Sequence, residues 1–417
     1  MVHTILGDIT LGYQLLWNPL RQLGGIHLFV GTEDDTHVDA PHLLKSLGLL
    51  WSEQAPLLIL SIKSHTLLCD LLDLPMLPNI CLEIAQEHLA DPVMVRRVHM
   101  AHLHGMMMVW RGNPGERVSA GLAHCFKRQM VNLTAAEALM SLRVSLRRHN
   151  NDEPVQLSRP ASPVVADQIY ESVASHLLAE HCLDEQGAWG VAGWPSEEVL
   201  LGYRHQRIQP GRQSIIRLVE AIDADHATDH IEHILSHDPI LFYRFLRYAN
   251  SACLSLRVEI DSLRHALMVL GVSLLRSWLL EQLPHASSDM NLQPVRAAMV
   301  IRSDLMAQLL DVGDGDDLRR EIYQCGLLSQ IDLLLGEPLE SALARLPLSE
   351  RVTSAILKQD GPYSPYLEVA TALESSHTQT TRRLCQTHHL ELETVNRALL
   401  RTLSNPQDPF AKGHFLA

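Results

Sequence analysis

No two of the seven cysteines stand in a CxxC pair, and no apolar run approaches the ~20 residues that span a bilayer. The odd cysteine number argues against a disulfide framework, and a structural zinc site is not expected either. A reducing cytosol is the compartment these thiols imply. The opening residues Met-Val-His-Thr-Ile-Leu-Gly-Asp lack a basic start followed by an apolar core, so no signal peptide is read. The chain is expected to be cytoplasmic, with no membrane partner. Basic charge is also scarce: 34 Lys and Arg face 48 Asp and Glu, a net charge of −14. Affinity for polyanions rests on cations neutralising phosphates, so nucleic acid is not expected as a partner. What is present is globular composition, 46% hydrophobic and 20% charged over 417 residues, a length that suits two domains.

The first 200 residues alternate short aliphatic runs with helical patterns. His27–Val30, Leu57–Ile62, Asn79–Ile84 and Gly105–Trp110 are strand candidates. Pro41–Trp51, Ser64–Leu72, Asp91–His104 and Thr134–Arg148 are helix candidates, and the alternation implies parallel βα units. Asn150–Pro163 is a polar, proline-containing loop. Beyond the turn at Gln209–Arg212 the strand signal disappears. Apolar residues then recur at helical spacing, as in Leu241, Phe245, Leu246 and Ala249, or Leu263, Ala266, Leu267 and Leu270. Further helices are expected at Pro294–Leu310, Asp317–Leu335, Leu348–Lys358 and Leu367–Thr378, and a frayed tail after Leu403.

His226, His230, His233 and His237 lie on one helix face, a spacing that suits zinc or nickel. The reading adopted is a solvated face beside Ile231, Ile234 and Leu235. His237-Asp238 is a literal His-Asp pair, but Asp238 followed by Pro239 is also the pattern of an N-cap with proline at the first helical position. No metal is assigned. Ser262–Leu283 reads superficially as helix, turn, helix. Its second helix offers only Arg276 among leucines and Trp278, too apolar to read base edges.

The segment Asp238-Pro239 through Leu246-Arg247, Asn250-Ser251 and Leu270-Gly271 resembles the HDOD signature. The likeness continues through Cys325–Asp332 and covers roughly residues 200–403. It implies an all-helical domain related to HD phosphohydrolases, used for protein interaction in bacterial signalling. Where a catalytic relative carries the His-Asp of G-L-L-H-D-I-G, this chain has Ser329 and Gln330. Neither replaces an imidazole or a carboxylate on a divalent cation.

The first half resembles an EAL domain, a (βα)-type TIM barrel whose active members hydrolyse cyclic di-GMP with metals. The likeness rests on Gly12–Trp17, Leu57–Ile62, Leu82-Glu83-Ile84, Gly105–Arg111 and Gly187–Pro195. At the positions implied for metal ligands stand Gln14, Ser61, Glu83, Trp110 and Arg111, of which only Glu83 keeps a carboxylate. Trp110 and Arg111 would put bulk and positive charge where cations belong. The arginine that would meet substrate phosphate is Asn18, which disfavours cyclic di-GMP binding.

Together these readings resemble the YuxH-like EAL–HDOD signalling proteins, with a degenerate EAL domain at 1–200, an HDOD domain at 201–403 and a tail at 404–417. The implied function is non-catalytic signalling through other signalling proteins, with no cofactor and no enzyme activity. The alternative is a residual cyclic di-GMP-binding protein or phosphodiesterase.

Overall fold

The computed structural model describes residues 5–33, 37–149, 161–204, 206–254, 259–310 and 315–405. Most of the expected loop Asn150–Pro163, and the tail beyond Asn405, lie outside these residues. The chain divides into two compact units. One comprises the described residues up to Glu198 together with those from Ala372 onward, and the other spans Val199–Thr371. The first change of unit falls between Glu198 and Val199. The stretch from Ala372 to the end of the expected helical domain packs instead with the first unit.

That first unit is a closed eight-stranded barrel: β1 (Ile9–Trp17), β2 (Leu23–Thr32), β3 (Leu57–Ile62), β4 (Ile80–Ala85), β5 (Met108–Arg111), β6 (Arg128–Asn132), β7 (Ile169–Glu171) and β8 (Gly190–Ala192). Neighbours from β2 to β8 are parallel, as the aliphatic runs and intervening helices predict. β1 departs from this, running antiparallel to both β2 and β8. The reason is local: β1 and β2 are joined by a tight turn in which Asn18 Oδ1 accepts from the Gln22 amide, leaving no room for a crossover helix. The helices start where capping residues stand. Ser64 accepts from the Leu67 amide, and Asp91 accepts from Val93 with Pro92 at the first position.

Leu16, Ile59, Cys81, Val109, Met130, Ile169 and Ala192 form one buried layer that fills the barrel. This layer fixes which face of each strand points inward, because alternate residues share a face. Residues 372–405 cover the parts of β1 and β2 that extend past it. A Cβ on Gly12, on the inward face, would run into the Ser375 carbonyl, and one on Gly31 into Thr378. Arg382 Nε donates to Thr10 Oγ1 (2.9 Å) and its other nitrogens to Glu33 and to the Asp8 carbonyl. Asn396 serves the unpaired edge of β1, donating to the Leu6 and Ile9 carbonyls and accepting from the Leu11 amide.

The second unit is helical. Among the described residues its β structure is a single bridge, Gly211 to Ser287. The helix Pro239–Ala249 is almost wholly buried, and Phe245 and Tyr248 pack against Trp278. Leu263–His285 is long and apolar enough, by length and composition, to cross a membrane. Gly271 divides it (φ 76°, ψ 159°), and Leu263, Ala266, Leu267, Leu275, Trp278 and Leu279 are buried in the helical core. The helix expected over Asp317–Leu335 is two, Asp316–Leu328 and Ile331–Leu335.

Candidate functional site

Parallel strands deliver their carboxyl ends to one mouth of a barrel, where functional groups of this architecture gather. At that mouth Ser61, Glu83 and Arg111 stand two residues along their strands from Ile59, Cys81 and Val109, and therefore face inward. Gln14 is likewise two residues from Leu16, beside Gly193 and paired across the ladder with His27.

Glu83 is the centre of this group. Its Oε2 lies 2.6 Å from His27 Nε2, its Oε1 accepts from Ser61 Oγ at 3.0 Å, and Arg111 approaches Oε1 at 3.8 Å. Burial pushes the Glu83 carboxyl up, but the His27 ring, Arg111 and Ser61 outweigh it and hold the group below its ordinary value. Arg111 is turned mainly toward Glu171 at the end of β7, donating from Nε to both carboxylate oxygens (3.1 and 3.2 Å). The result is a closed cluster of two buried carboxylates, one guanidinium, one imidazole and one hydroxyl. Chemically it can orient a polar ligand at its rim. A cation on Glu83 would have to displace contacts that already occupy both carboxylate oxygens.

Trp110 does not join the cluster, which corrects the expectation that its bulk fills the site. By strand alternation it points away from the interior, fully buried, with Nε1 donating to Gln86 Oε1 at 2.9 Å. Two members of the cluster escaped sequence reasoning, His27 and Glu171. Glu171 sits on a three-residue strand too short to show a pattern, and His27 looks like one polar residue in an apolar run.

In the helical unit Asp238 is wholly buried and serves as an N-cap. Oδ1 accepts from the amides of Ile240 (3.0 Å) and Leu241 (3.1 Å), and Oδ2 from Gly211 (2.8 Å). His237 is buried too, its Nδ1 2.6 Å from the His233 carbonyl, and burial with the nearby His233 ring lowers it to about 4. The four histidines of the sequence pattern fall into two ring pairs, His226 with His230 and His233 with His237. Asn250 bonds the Leu246 and Ile260 carbonyls and the Ile260 amide, tying the helix end to the following segment. The neighbouring Ser251 has no partner for its Oγ among the described residues. Ser329 and Gln330 mark the break between two helices, where Ser329 Oγ donates to the Gly326 carbonyl and Arg302 approaches it at 3.5 Å. Arg276, the one cation of the helix-turn-helix-like segment, is paired with Asp223.

Comparison with known proteins places these units. The HDOD domain family matches residues 210–343. The cyclic di-GMP phosphodiesterase CdgJ of Vibrio cholerae is 24% identical over 186 residues, 43% of this chain and 41% of its own length. The uncharacterized protein YuxH of Bacillus subtilis is 28% identical over 164 residues, 38% of each chain. The matches thus span about two fifths of these curated relatives. Among solved structures, the MmoQ response regulator of Methylococcus capsulatus aligns with a TM-score of 0.37 at 15% identity, over 46% of this chain and 97% of that one. The Bacillus subtilis YkuI protein, with an EAL domain bound to cyclic di-GMP and calcium, aligns at 0.29 and 14% identity, over 45% and 55%. The helices that Asp238 caps and Asn250 ties thus lie within the stretch matched to the HDOD domain family, and the eight-stranded barrel with its one reversed strand precedes them.

Proposed function

We propose that this protein signals by binding other signalling proteins and does not hydrolyse cyclic di-GMP. The observation that carries the reading is the saturation of Glu83. Both its oxygens are engaged by His27 and Ser61, and Arg111 brings a fixed positive charge to the mouth. A metal-dependent phosphodiesterase needs carboxylates free to hold cations and activate water. Ser329 and Gln330 supply no ligand of the HD type in the helical unit. Cys69, Cys81, Cys125, Cys182, Cys325 and Cys385 are free thiols, consistent with work in a reducing cytoplasm. Met268, Val269 and Leu280 expose apolar surface on the helical domain, the kind of surface an interaction module presents.

The second reading is a residual phosphodiesterase, favoured by the 24% identity to CdgJ and by the survival of Glu83. Purified protein incubated with cyclic di-GMP and Mn²⁺ or Mg²⁺ separates the two. No breakdown above the metal-free blank is expected. Turnover abolished by Glu83→Ala overturns the proposal in favour of an enzyme.

A further inference from the structure

At the opposite end of the barrel, two segments bring metal-ligating side chains together. The helix Pro92–Leu103 ends just before β5, and the short turn Ala123–Cys125 lies just before β6. Both therefore lie at the amino ends of their strands, away from Glu83. Cys125 is buried, His99 half-buried and His124 exposed. Cys125 Sγ is 3.3 Å from His99 Nδ1 and 3.5 Å from His124 Nε2. The three ligand atoms all lie within 4.8 Å of one another, and theirs is the only such group among the described residues.

These distances have a chemical meaning. Zn–S and Zn–N bonds of ~2.3 and ~2.05 Å at the tetrahedral angle place sulfur and nitrogen about 3.5 Å apart. The two S···N separations already match that edge, so an ion can enter with only the His99–His124 edge drawing in. A fourth group is at hand. His102, one turn along the helix from His99, packs edge-on against His124 at 5.5 Å between ring centres. One thiolate with imidazoles is the donor set of zinc, and carboxylate-preferring cations such as Mg²⁺ and Ca²⁺ are excluded.

We propose that His99, His124 and Cys125, with His102 as fourth ligand, bind one zinc ion that fastens the Pro92–Leu103 helix to the segment entering β6. This revises the expectation that no structural zinc site exists. The ligands come from two separate segments rather than a CxxC pair, and no sequence spacing announces them. The role is structural. Residues 112–127 cross from β5 to β6 with a single short helical turn, and a metal cross-link would hold that crossing in place.

The test uses the full chain, stripped of metal and titrated with Co²⁺ and then Zn²⁺. One Co²⁺ per chain is expected, with tetrahedral d–d bands and a thiolate-to-cobalt charge-transfer band, both erased by one equivalent of Zn²⁺. Cys125→Ser should abolish the charge-transfer band, and Cys125→Ser and His124→Ala should each weaken affinity by about 100-fold or more. His124 is exposed, so its variant should fold, as circular dichroism would verify. Cys69→Ser, which alters a thiol 3.8 Å from His65, should change nothing. An absent charge-transfer band, or binding unchanged in His124→Ala, overturns the proposal.

Discussion

His27 Nε2 and Glu83 Oε2 lie 2.6 Å apart inside the barrel, with the His27 side chain fully buried and that of Glu83 only 4% exposed. An imidazole therefore occupies one oxygen of the central carboxylate at the mouth, and that contact carries both the functional proposal and a stability consequence.

Glu83→Gln should destabilise the protein by about 3 kcal/mol at pH 7, the usual cost of removing a buried carboxylate from the partners arranged around it. The folded carboxyl sits below its ordinary value, so its contribution is complete above the unfolded value near ~4.3 and is lost as pH falls through the folded one. Urea unfolding of both proteins checks this. The gap should be widest near neutrality and narrow as the pH falls through the lowered value of the folded carboxyl, and a gap independent of pH would contradict it.

His237 follows the same proton bookkeeping, but here the folded form that is favoured is neutral instead of charged. Buried and lowered to about 4, it stays neutral in the folded protein while the unfolded chain takes up a proton below ~6.5. Stability should drain by about 3 kcal/mol between pH 6.5 and 4. His237→Asn, which keeps a donor toward the His233 carbonyl, should lose less over that range. Parallel urea midpoints for the two proteins would show that His237 is not responsible.

Asn396→Ala should cost about 2–4 kcal/mol, because the Leu11 amide and the Leu6 and Ile9 carbonyls lose buried partners. Hydrogen exchange gives a sharper readout. The Leu11 amide should lose protection more than amides in β4, and uniform loss would mean the effect is global.

Gly271→Ala adds no steric clash, since nothing lies within 4 Å of a Cβ there, yet φ is 76°. A destabilisation of about 1–2 kcal/mol from backbone strain is expected by thermal unfolding. No change would mean the helix break relaxes freely.

Much of this was legible in the residues. Leu57–Ile62 forms its strand unchanged, and Asp91-Pro92 and Asp238-Pro239 begin helices because capping needs only neighbours in sequence. The course of β1 was not legible. An aliphatic run reads the same in either direction, and only the short turn after Trp17 reverses it. Trp110 was misplaced for a related reason, since adjacent residues of a motif go to opposite faces once they lie on a strand.

By itself the sequence determined the local elements, the order of barrel then helical domain, and the place of Glu83 within a buried strand. Tertiary structure alone decided what Glu83 touches, that Arg111 turns to Glu171, and that the chain from Ala372 onward returns to β1. Those contacts join residues 56, 60 and 385 positions apart. They exist because a closed barrel fixes the register and inward face of every strand at once, a constraint that no window of local sequence contains.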